Sequence, residues 1–155
     1  GVKEVFAYAD ISAHHERIEV EDVAVAAVRF RDDSIGCIQA STAIYKGLPA
    51  RLALHGEKGN ILLVSDEITH WDVAEMSQPE SAVEQSATGA SDPRAALRRP
   101  AIAAHIDQIG DFIRAIEEDC SPMIDGREAR KAVEINLAID RSAREHRPVA
   151  LPLDT

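Results

Sequence analysis

Aromatic side chains and cysteines are both scarce in this chain of 155 residues. Aromatic residues make up 4% of the sequence and include one tryptophan, which argues against an aromatic platform for stacking sugars or bases. The two cysteines, Cys37 and Cys120, form no CxxC pair, so we expect neither a disulfide framework nor a cysteine metal site. A reduced, cytoplasmic setting fits this composition best.

Long apolar runs and net positive charge are also absent. No stretch approaches the roughly 20 apolar residues needed to span a bilayer, and the first residues lack the order of a signal peptide. The formal net charge is -10, from 27 acidic and 17 basic residues spread along the chain. Because such a surface repels phosphate backbones and anionic lipids, we expect neither nucleic acid nor a membrane as a partner.

Three glycine-centred enzyme motifs are missing. The chain contains no GxGxxG, no GxxxxGK[ST] and no GxSxG, so it offers no dinucleotide fingerprint, no P-loop and no nucleophile elbow. Gly56 and Gly59 enclose Glu57 and Lys58, but an acidic residue there opposes phosphate binding and no helical pattern follows. This segment therefore predicts a hairpin turn.

The first half of the chain carries strand signal. Six segments rich in β-branched and aliphatic residues are joined by short polar or glycine-containing links. They cover 2–13, 22–31, 35–42, 51–55, 61–64 and 67–73. In the second segment Val23 and Val25 lie on one face while Ala24 and Val28 lie on the other. Both faces are therefore apolar, and both need to be covered.

The second half begins with a change of composition. Residues 74–100 are rich in Ser, Ala, Glu, Gln and Pro without periodicity, which predicts a mobile loop or lid. An apolar stripe at helical spacing then indicates a first helix; it consists of Ile102, Ile106, Ile109, Phe112, Ile113 and Ile116.

Asp125 followed three residues later by Glu128 predicts a capping box that starts a second helix. We expect the buried side of that helix to consist of Ala129, Ala132, Val133, Leu137 and Ile139. Residues 149–151 follow Pro148 and predict a last strand or strap.

Strands grouped first and helices grouped last favour an α+β fold over an alternating α/β fold. We expect one domain over 1–155, built on a predominantly antiparallel open sheet with helices packed on one face. The other face then remains available for contact with another subunit. Because the chain begins at Gly1 and enters strand pattern directly, we also expect it to be a fragment of a longer protein.

A loop with one aromatic hydroxyl and two cations is the first candidate binding site. Tyr45, Lys46 and Arg51 flank a glycine and a proline at the end of the predicted strand pair. A tyrosine hydroxyl and cationic groups suit a polyhydroxylated or acidic small molecule. A plain solvated turn is the alternative, and the residues alone leave both open.

His105 and Gln108 form the second candidate site. They lie one turn apart at the predicted start of the first helix, just after the predicted loop. A helix start beside a flexible loop can form the wall of a pocket. A capping or packing role for His105 is the alternative interpretation.

The remaining histidines fit a metal site poorly. His14 and His15 are adjacent, and adjacent side chains rarely converge on one ion, so we interpret them as surface groups. His55 and His70 lie in different predicted strands and would meet only if the register allowed it. We expect no metal ligands in this chain.

Three segments, taken in order, carry a resemblance to a known family. They read VEDVAVAAVRFRDDSIGCIQASTAIYKGLPARLALHGEKGNILL, then HIDQIGDFIRAI, then MIDGREARKAVEINLAIDRSAREHRPVALP. They resemble the C-terminal domain of the family of glucose-fructose oxidoreductase, inositol dehydrogenase and MocA, which comprises NAD(P)-dependent oxidoreductases. The resemblance covers nearly the whole chain outside 74–100.

The resemblance implies that the chemistry lies elsewhere. Full-length members join an N-terminal Rossmann domain, which binds NAD or NADP, to a C-terminal α+β domain. Their catalytic lysine belongs to the Rossmann half, and their catalytic aspartate and histidine lie on a helix before a segment similar to GVKEVFA. The resemblance therefore implies no catalytic and no cofactor-binding residue in this chain. We expect the 155 residues alone to be inactive and to bind no cofactor.

The resemblance also implies roles for the candidate residues. Tyr45 matches the loop tyrosine that borders the substrate in family members, which implies contact with a sugar or polyol hydroxyl. Many relatives read Tyr-Pro-Gly-Phe-Pro-Glu-Arg where this chain reads YKGLPAR, so Lys46 and Ala50 depart from the pattern and leave the substrate open. His105 and Gln108 match the helix motif, in a pocket-lining or a structural role. A homo-oligomer formed through the open sheet face is implied as well.

Two other functions are compatible with the residues. One is a standalone small-molecule-binding or dimerisation module without catalysis, which the upstream reading frame would distinguish. The other is a small metal-dependent isomerase using His55, His70 and acidic neighbours, which metal analysis would test.

Overall fold

The structure, a computed structural model, describes residues 1–65, 67–77 and 93–154. Its elements are β1 (Val2–Asp10), β2 (Val23–Phe30), β3 (Ile35–Ser41), β4 (Arg51–Gly56), β5 (Gly59–Val64), β6 (Glu67–Val73), α1 (Pro93–Glu117), α2 (Gly126–Glu145) and β7 (Val149–Ala150). The chain divides into two compact units. The first unit is Gly1–Tyr45 with Asp119–Thr155, and the second unit is Lys46–Glu118.

The first unit is built on a four-stranded antiparallel sheet in the order β3, β2, β1, β7. β2 and β3 form a hairpin whose turn is closed by Asp32, which accepts hydrogen bonds from the N–H and the hydroxyl of Ser34. β7 pairs only with the start of β1, where Val149 lies opposite Val5. The predicted last strand is therefore confirmed, and it places the end of the chain beside its beginning.

One face of this sheet is covered by α2. Val5 and Ala138 are fully buried, and Val28 and Val149 are 4% exposed, in a small aliphatic core. Apolar burial of this kind stabilises by about 25 cal/mol for each Å² removed from water. The first unit thus has two layers, one sheet and one helix.

A buried hydroxyl links the two layers. Ser142 of α2 is fully buried. Its hydroxyl oxygen accepts the N–H of Ala7 at 3.0 Å and its proton is donated to the carbonyl of Arg147 at 2.7 Å. Two backbone groups that the short β7 does not pair are satisfied in this way, which avoids the cost of burying them alone.

The buried side of α2 differs from the prediction. Ala138 and Ser142 are the buried positions of this helix, and Ile139 is partly buried. The other residues of the predicted core are exposed, namely Ala129, Ala132, Val133 and Leu137. The prediction is wrong here because α2 is apolar on two opposite sides, and periodicity cannot tell which side meets the sheet. The small side chains of Ala138 and Ser142 permit the closer approach.

The start of α2 confirms half of the predicted capping box. The Asp125 carboxylate accepts the N–H groups of Arg127 and Glu128 at 2.8 and 2.9 Å. The Glu128 carboxylate instead pairs with the ammonium of Lys131 at 2.5 Å. One carboxylate therefore caps the helix, and the other forms a surface ion pair.

The second unit contains a three-stranded antiparallel sheet in the order β4, β5, β6. Gly56 lies opposite Gly59 where β4 turns into β5, which confirms the predicted hairpin. A Cβ added at Gly59 would stand 2.2 Å from the carbonyl oxygen of Asp72, so a larger residue cannot be placed there without moving β6. Leu52 and Leu54 of β4 are 52% and 51% exposed.

Helix α1 begins at Pro93, so its first eight residues, 93–100, belong to the segment predicted to be a loop. Residues 78–92 lie outside the described residues, and the prediction of a loop there stays a prediction. The predicted start lies too late because Pro100 lacks a backbone N–H and normally marks the first turn of a helix. The apolar stripe is confirmed as helical, but Ile106 and Ile113 are 64% and 50% exposed. No helix among the described residues combines the length and the apolarity needed to cross a bilayer.

The α+β class is confirmed, since antiparallel strands precede two helices. The strands form two sheets rather than a single one. On the sheet of the first unit, the face opposite α2 carries Tyr8, Val25 and Ile35, which are 65%, 44% and 78% exposed. Among the described residues of this unit, the face of β2 that bears Val25 is therefore the one that α2 leaves exposed.

Candidate functional site

The turn after β3 holds the first two candidate residues. Tyr45 is 87% exposed. Lys46 and Gly47 have φ angles of 64° and 71°, a left-handed conformation that glycine adopts easily and lysine adopts only where its surroundings impose it. The reversal places Tyr45 at the end of a first-unit segment and Lys46 at the start of the second unit.

Arg51 lies at the first position of β4, which is an edge strand of its sheet. Its side chain is exposed. The residue before it is held in place, because the carbonyl of Ala50 accepts the N–H of Ser65 at 2.8 Å. Arg51 thus presents an exposed cation at the start of an edge strand.

His105 and Gln108 lie three residues apart on α1, and both are exposed. Because α1 begins at Pro93, His105 belongs to the helix interior rather than to its first turn. The interpretation of His105 as a helix-start or capping residue is therefore wrong. Its role as one wall of a pocket stays a prediction.

The five candidates do not belong to one unit. Tyr45 is in the first unit, whereas Lys46, Arg51, His105 and Gln108 are in the second. That all five line a single pocket stays a prediction. A shallow cavity of about 240 Å³ occurs elsewhere in the first unit, and none of the candidates lines it; its walls are Arg141, Arg147, Val149, Ala150, Pro152 and Asp154.

The structure reveals a buried carboxylate that the sequence reasoning missed. The side chain of Asp22, just before β2, is fully buried. It accepts the backbone N–H groups of Ser12, Ala13 and His14 at 2.6, 2.8 and 3.0 Å. One side chain thereby orders the first part of the long connection between β1 and β2.

These hydrogen bonds hold the pKa of Asp22 far below its ordinary value. The N–H of Ser12 is the largest cause, and burial, which acts in the opposite direction, is outweighed. Asp22 is therefore an anion at neutral pH and can only accept hydrogen bonds. The Nδ1 of His14 lies 2.9 Å from its Oδ2, so this nitrogen must carry the proton.

His14 is thus a partly exposed group with a fixed partner, which the interpretation as a plain surface group did not include. Its side chain is 34% exposed, whereas the neighbouring His15 is exposed. One sequence signal was available: an aspartate between a polar loop and an apolar strand is well placed to accept loop N–H groups. Its partners eight to ten residues earlier are not readable from spacing.

A metal site finds no support in the described part of the chain. There, no group of three His, Cys, Asp or Glu side chains is arranged to hold an ion. The Nδ1 of His55 hydrogen-bonds to Oδ1 of Asn60 at 2.8 Å, while His70 lies opposite Leu62. Because β5 separates β4 from β6, these two histidines lie on strands that are not neighbours, and the alternative of a metal-dependent isomerase gains no support from the described residues.

Comparison with known families gives a match over residues 2–151 to the family described as "Oxidoreductase family, C-terminal alpha/beta domain". Among solved structures, the chain is similar to the WlbA dehydrogenase from Bordetella pertussis in complex with NADH and UDP-GlcNAcA. The identity is 30% and the TM-score 0.77, over 99% of this chain and 43% of that one. Comparison with curated proteins gives no match.

Two further structures share the fold. The WlbA dehydrogenase from Chromobacterium violaceum, also with NADH and UDP-GlcNAcA, is 27% identical with a TM-score of 0.76, over 99% of this chain and 41% of that one. A levoglucosan dehydrogenase with NADH and levoglucosan is 20% identical with a TM-score of 0.71, over 98% and 45%. The present chain thus spans less than half the length of these relatives.

Proposed function

The chain belongs to the Gfo/Idh/MocA family of oxidoreductases and matches the family's C-terminal alpha/beta domain. From this we propose that it is the substrate-binding and oligomerisation domain of an NAD(P)-dependent sugar or cyclitol oxidoreductase. The family match over residues 2–151 carries this proposal. The intact enzyme transfers a hydride between a carbinol carbon of the substrate and a nicotinamide.

The nicotinamide cofactor belongs, in this proposal, to a nucleotide-binding half outside the 155 residues. Solved relatives that contain NADH are more than twice as long as this chain. Within the described residues nothing fits a dinucleotide, because Gly56 and Gly59 close a β hairpin instead of opening a helix. We therefore expect NAD or NADP to bind the intact enzyme and not these 155 residues alone.

The substrate we propose is a polyhydroxylated molecule that can carry an acidic group. Tyr45 presents a hydroxyl at an exposed turn, and Lys46 and Arg51 supply cations nearby in sequence. Cationic side chains with several N–H donors suit a carboxylate, and a phenol suits a sugar hydroxyl. The structures of the two WlbA dehydrogenases described above contain UDP-GlcNAcA. This ligand is a uronic acid derivative, so it combines sugar hydroxyls with an acidic group.

An assay of nicotinamide reduction tests the proposal. The protein encoded by the complete reading frame is expected to reduce NAD or NADP, followed by absorbance, with at least one sugar or sugar acid from a panel. The 155-residue chain alone is expected to give no turnover. Unaided oxidation by this chain, or a reading frame without a nucleotide-binding half, contradicts the proposal.

Assembly through the open face of the first-unit sheet is the second part of the proposal. Tyr8, Val25 and Ile35 form an exposed apolar surface there, bordered by Glu4 paired across the strands with Arg29. Apolar surface of this kind is typical of contacts between subunits. A homo-oligomer would cover it.

Sedimentation velocity at micromolar concentration tests the assembly. The chain is expected to sediment as an oligomer, and Val25→Glu is expected to sediment as a monomer, because an unpaired charge in an apolar interface costs several kcal/mol. Ser121→Glu, at an exposed polar position before α2, is the control. A monomer for the unchanged chain counts against this part of the proposal.

A cytoplasmic location is proposed as well. The thiol of Cys37 is exposed on β3, and an exposed thiol is kept reduced in the cytosol.

A further inference from the structure

Two connections leave the first-unit sheet at the same end. The β1–β2 connection starts after Asp10, and the segment that leads to Tyr45 starts after Ser41. Val23 lies between them, opposite Asp10 on one side and opposite Ser41 on the other. Both segments, residues 11–21 and residues 42–45, therefore leave the sheet at the end where Asp10, Val23 and Ser41 lie side by side.

The backbone of Asp22 ties these two connections together. Its N–H donates to the carbonyl of Asp10 at 3.1 Å, and its carbonyl accepts the N–H of Thr42 at 2.9 Å. The hydroxyl of Ser41 accepts the N–H of Ala43 at 3.0 Å, which fixes the next step toward Tyr45. The position of the Tyr45 segment thus depends on the same residue that orders the β1–β2 connection.

The side chain of Asp22 orients an imidazole at this end of the sheet. Because the carboxylate only accepts, Nδ1 of His14 donates the proton of this hydrogen bond, and Nε2 is the ring nitrogen left to contact a ligand. Within the described residues Nε2 has no hydrogen-bond partner, and the ring is partly exposed. A ring nitrogen of this kind accepts a hydrogen bond from a hydroxyl group when it carries no proton, and donates one to a hydroxyl oxygen when it does.

Folding of the connection alone does not require this imidazole. The three backbone N–H groups of Ser12, Ala13 and His14 already bind the Asp22 carboxylate. The bond to the ring adds a fixed orientation and a fixed tautomer, which are the properties that a ligand-binding histidine needs.

We propose that His14 contacts the substrate through Nε2, at a sugar hydroxyl beside the one bound by Tyr45, and that Asp22 is the positioning residue for both. This inference rests on the proposed function, since it adds a residue to the sugar site. The part of the β1–β2 connection that Asp22 orders, residues 12–14, then forms a wall of that site.

Nuclear magnetic resonance of the 155-residue chain, with ¹⁵N-labelled histidine, tests the inference without any activity assay. We expect the imidazole of His14 to be the Nδ1–H tautomer in the free protein. UDP-GlcNAcA and levoglucosan, added separately at millimolar concentration, are the probes. At least one of them is expected to shift the Nε2 signal of His14 together with the ring signals of Tyr45.

Three variants separate contact of His14 with the ligand from support of His14 by Asp22. His14→Asn keeps a donor near Asp22 but lacks the outward nitrogen, and we expect it to weaken the binding of that probe about tenfold, as for the loss of one good hydrogen bond. His15→Asn is the matched control and should change binding less than about twofold, within ordinary surface effects. Asp22→Asn is expected to shift His14 toward the Nε2–H tautomer.

The outcomes distinguish this inference from the proposed function. A probe that shifts Tyr45 and leaves the His14 nitrogens unchanged overturns the role of His14 and leaves the sugar-binding proposal intact. An Nε2–H tautomer in the unchanged protein overturns the positioning role of Asp22. No shift at either residue with either probe overturns both the inference and the proposed sugar site.

Discussion

The two units differ in how their side chains are covered. Among the described residues, every buried side chain except Ala115 belongs to the first unit. In the second unit, large apolar side chains of β4 and α1 are half exposed or more, among them Leu54 at 51% and Ile113 at 50%. The first unit thus holds its own core, whereas the second presents apolar surface of the kind that proteins use for contacts.

Polar groups follow the same division. Asp22 and Ser142 are the buried polar residues among those described, and both lie in the first unit, where each satisfies several backbone groups. Buried polar groups stabilise a fold only when their partners are complete. The comparison therefore predicts that substitutions in the first unit unfold the chain and that matched substitutions in the second do not.

The largest effect is expected for Asp22→Ala. This change leaves three N–H groups and the His14 ring without their acceptor in a partly buried place, and losing one such acceptor is already costly. Thermal or urea unfolding, followed by circular dichroism, is the measurement. Asp32→Ala, in the exposed turn between β2 and β3, removes only the contacts to Ser34 and should cost much less. Equal losses would contradict the central role of Asp22.

Acid unfolding also tests the contribution of the Asp22 carboxylate to stability. Because the pKa of Asp22 lies far below its ordinary value of 3.8, the unfolded chain binds a proton there at a higher pH than the folded chain does. The stabilisation is complete above about pH 4 and is lost as the pH falls below it. Asp22→Asn should therefore show a flatter fall of stability with acid, by at most about one proton. An unchanged slope would contradict this.

The next largest effect is expected in the aliphatic core. Val5 is fully buried against α2, so Val5→Ala should lower the free energy of unfolding by about 2 kcal/mol, from lost burial and a residual cavity. Ile113→Ala in the second unit removes more atoms, but from a half-exposed position. It should change stability by less than about 0.5 kcal/mol. Urea titration of both variants tests the difference, and a large loss for Ile113→Ala would show that the α1 stripe is covered in solution.

Ser142→Ala comes third. It removes the acceptor for the Ala7 N–H and the donor for the Arg147 carbonyl, at a cost of about 1 to 2 kcal/mol. Ser121→Ala, at an exposed position before α2, serves as the control and should be neutral. A neutral Ser142→Ala would indicate that water replaces the hydroxyl.

Much of this fold could be predicted from local patterns. Segments rich in β-branched and aliphatic residues predicted β2 and β3, the glycines predicted the Gly56 to Gly59 turn, and Asp125 predicted the start of α2. These features depend on neighbours within a few residues. The order of strands and the division into two sheets depend on contacts that spacing does not encode.

The site was less predictable for the same physical reason. Tyr45, Lys46 and Arg51 stood out because a turn exposes them, and their grouping with His105 and Gln108 remains a prediction. Asp22 escaped notice, and His14 was interpreted as a surface group, because a carboxylate in an acidic chain looks like solvent-facing charge until its burial is known. Ser142 escaped for a similar reason, since a serine in the middle of a helix is usually exposed.

The smallest effect is expected at the solvent-exposed start of α2. Asp125→Ala removes a cap that accepts two N–H groups and should cost about 1 kcal/mol. Glu128→Ala removes only the surface pair with Lys131 and should cost about 0.3 kcal/mol. Chemical denaturation resolves these values if both variants are measured together. Because a complete capping box would make the two carboxylates equivalent, equal costs would contradict the half-formed cap seen in the structure and move Glu128 back to the helix start.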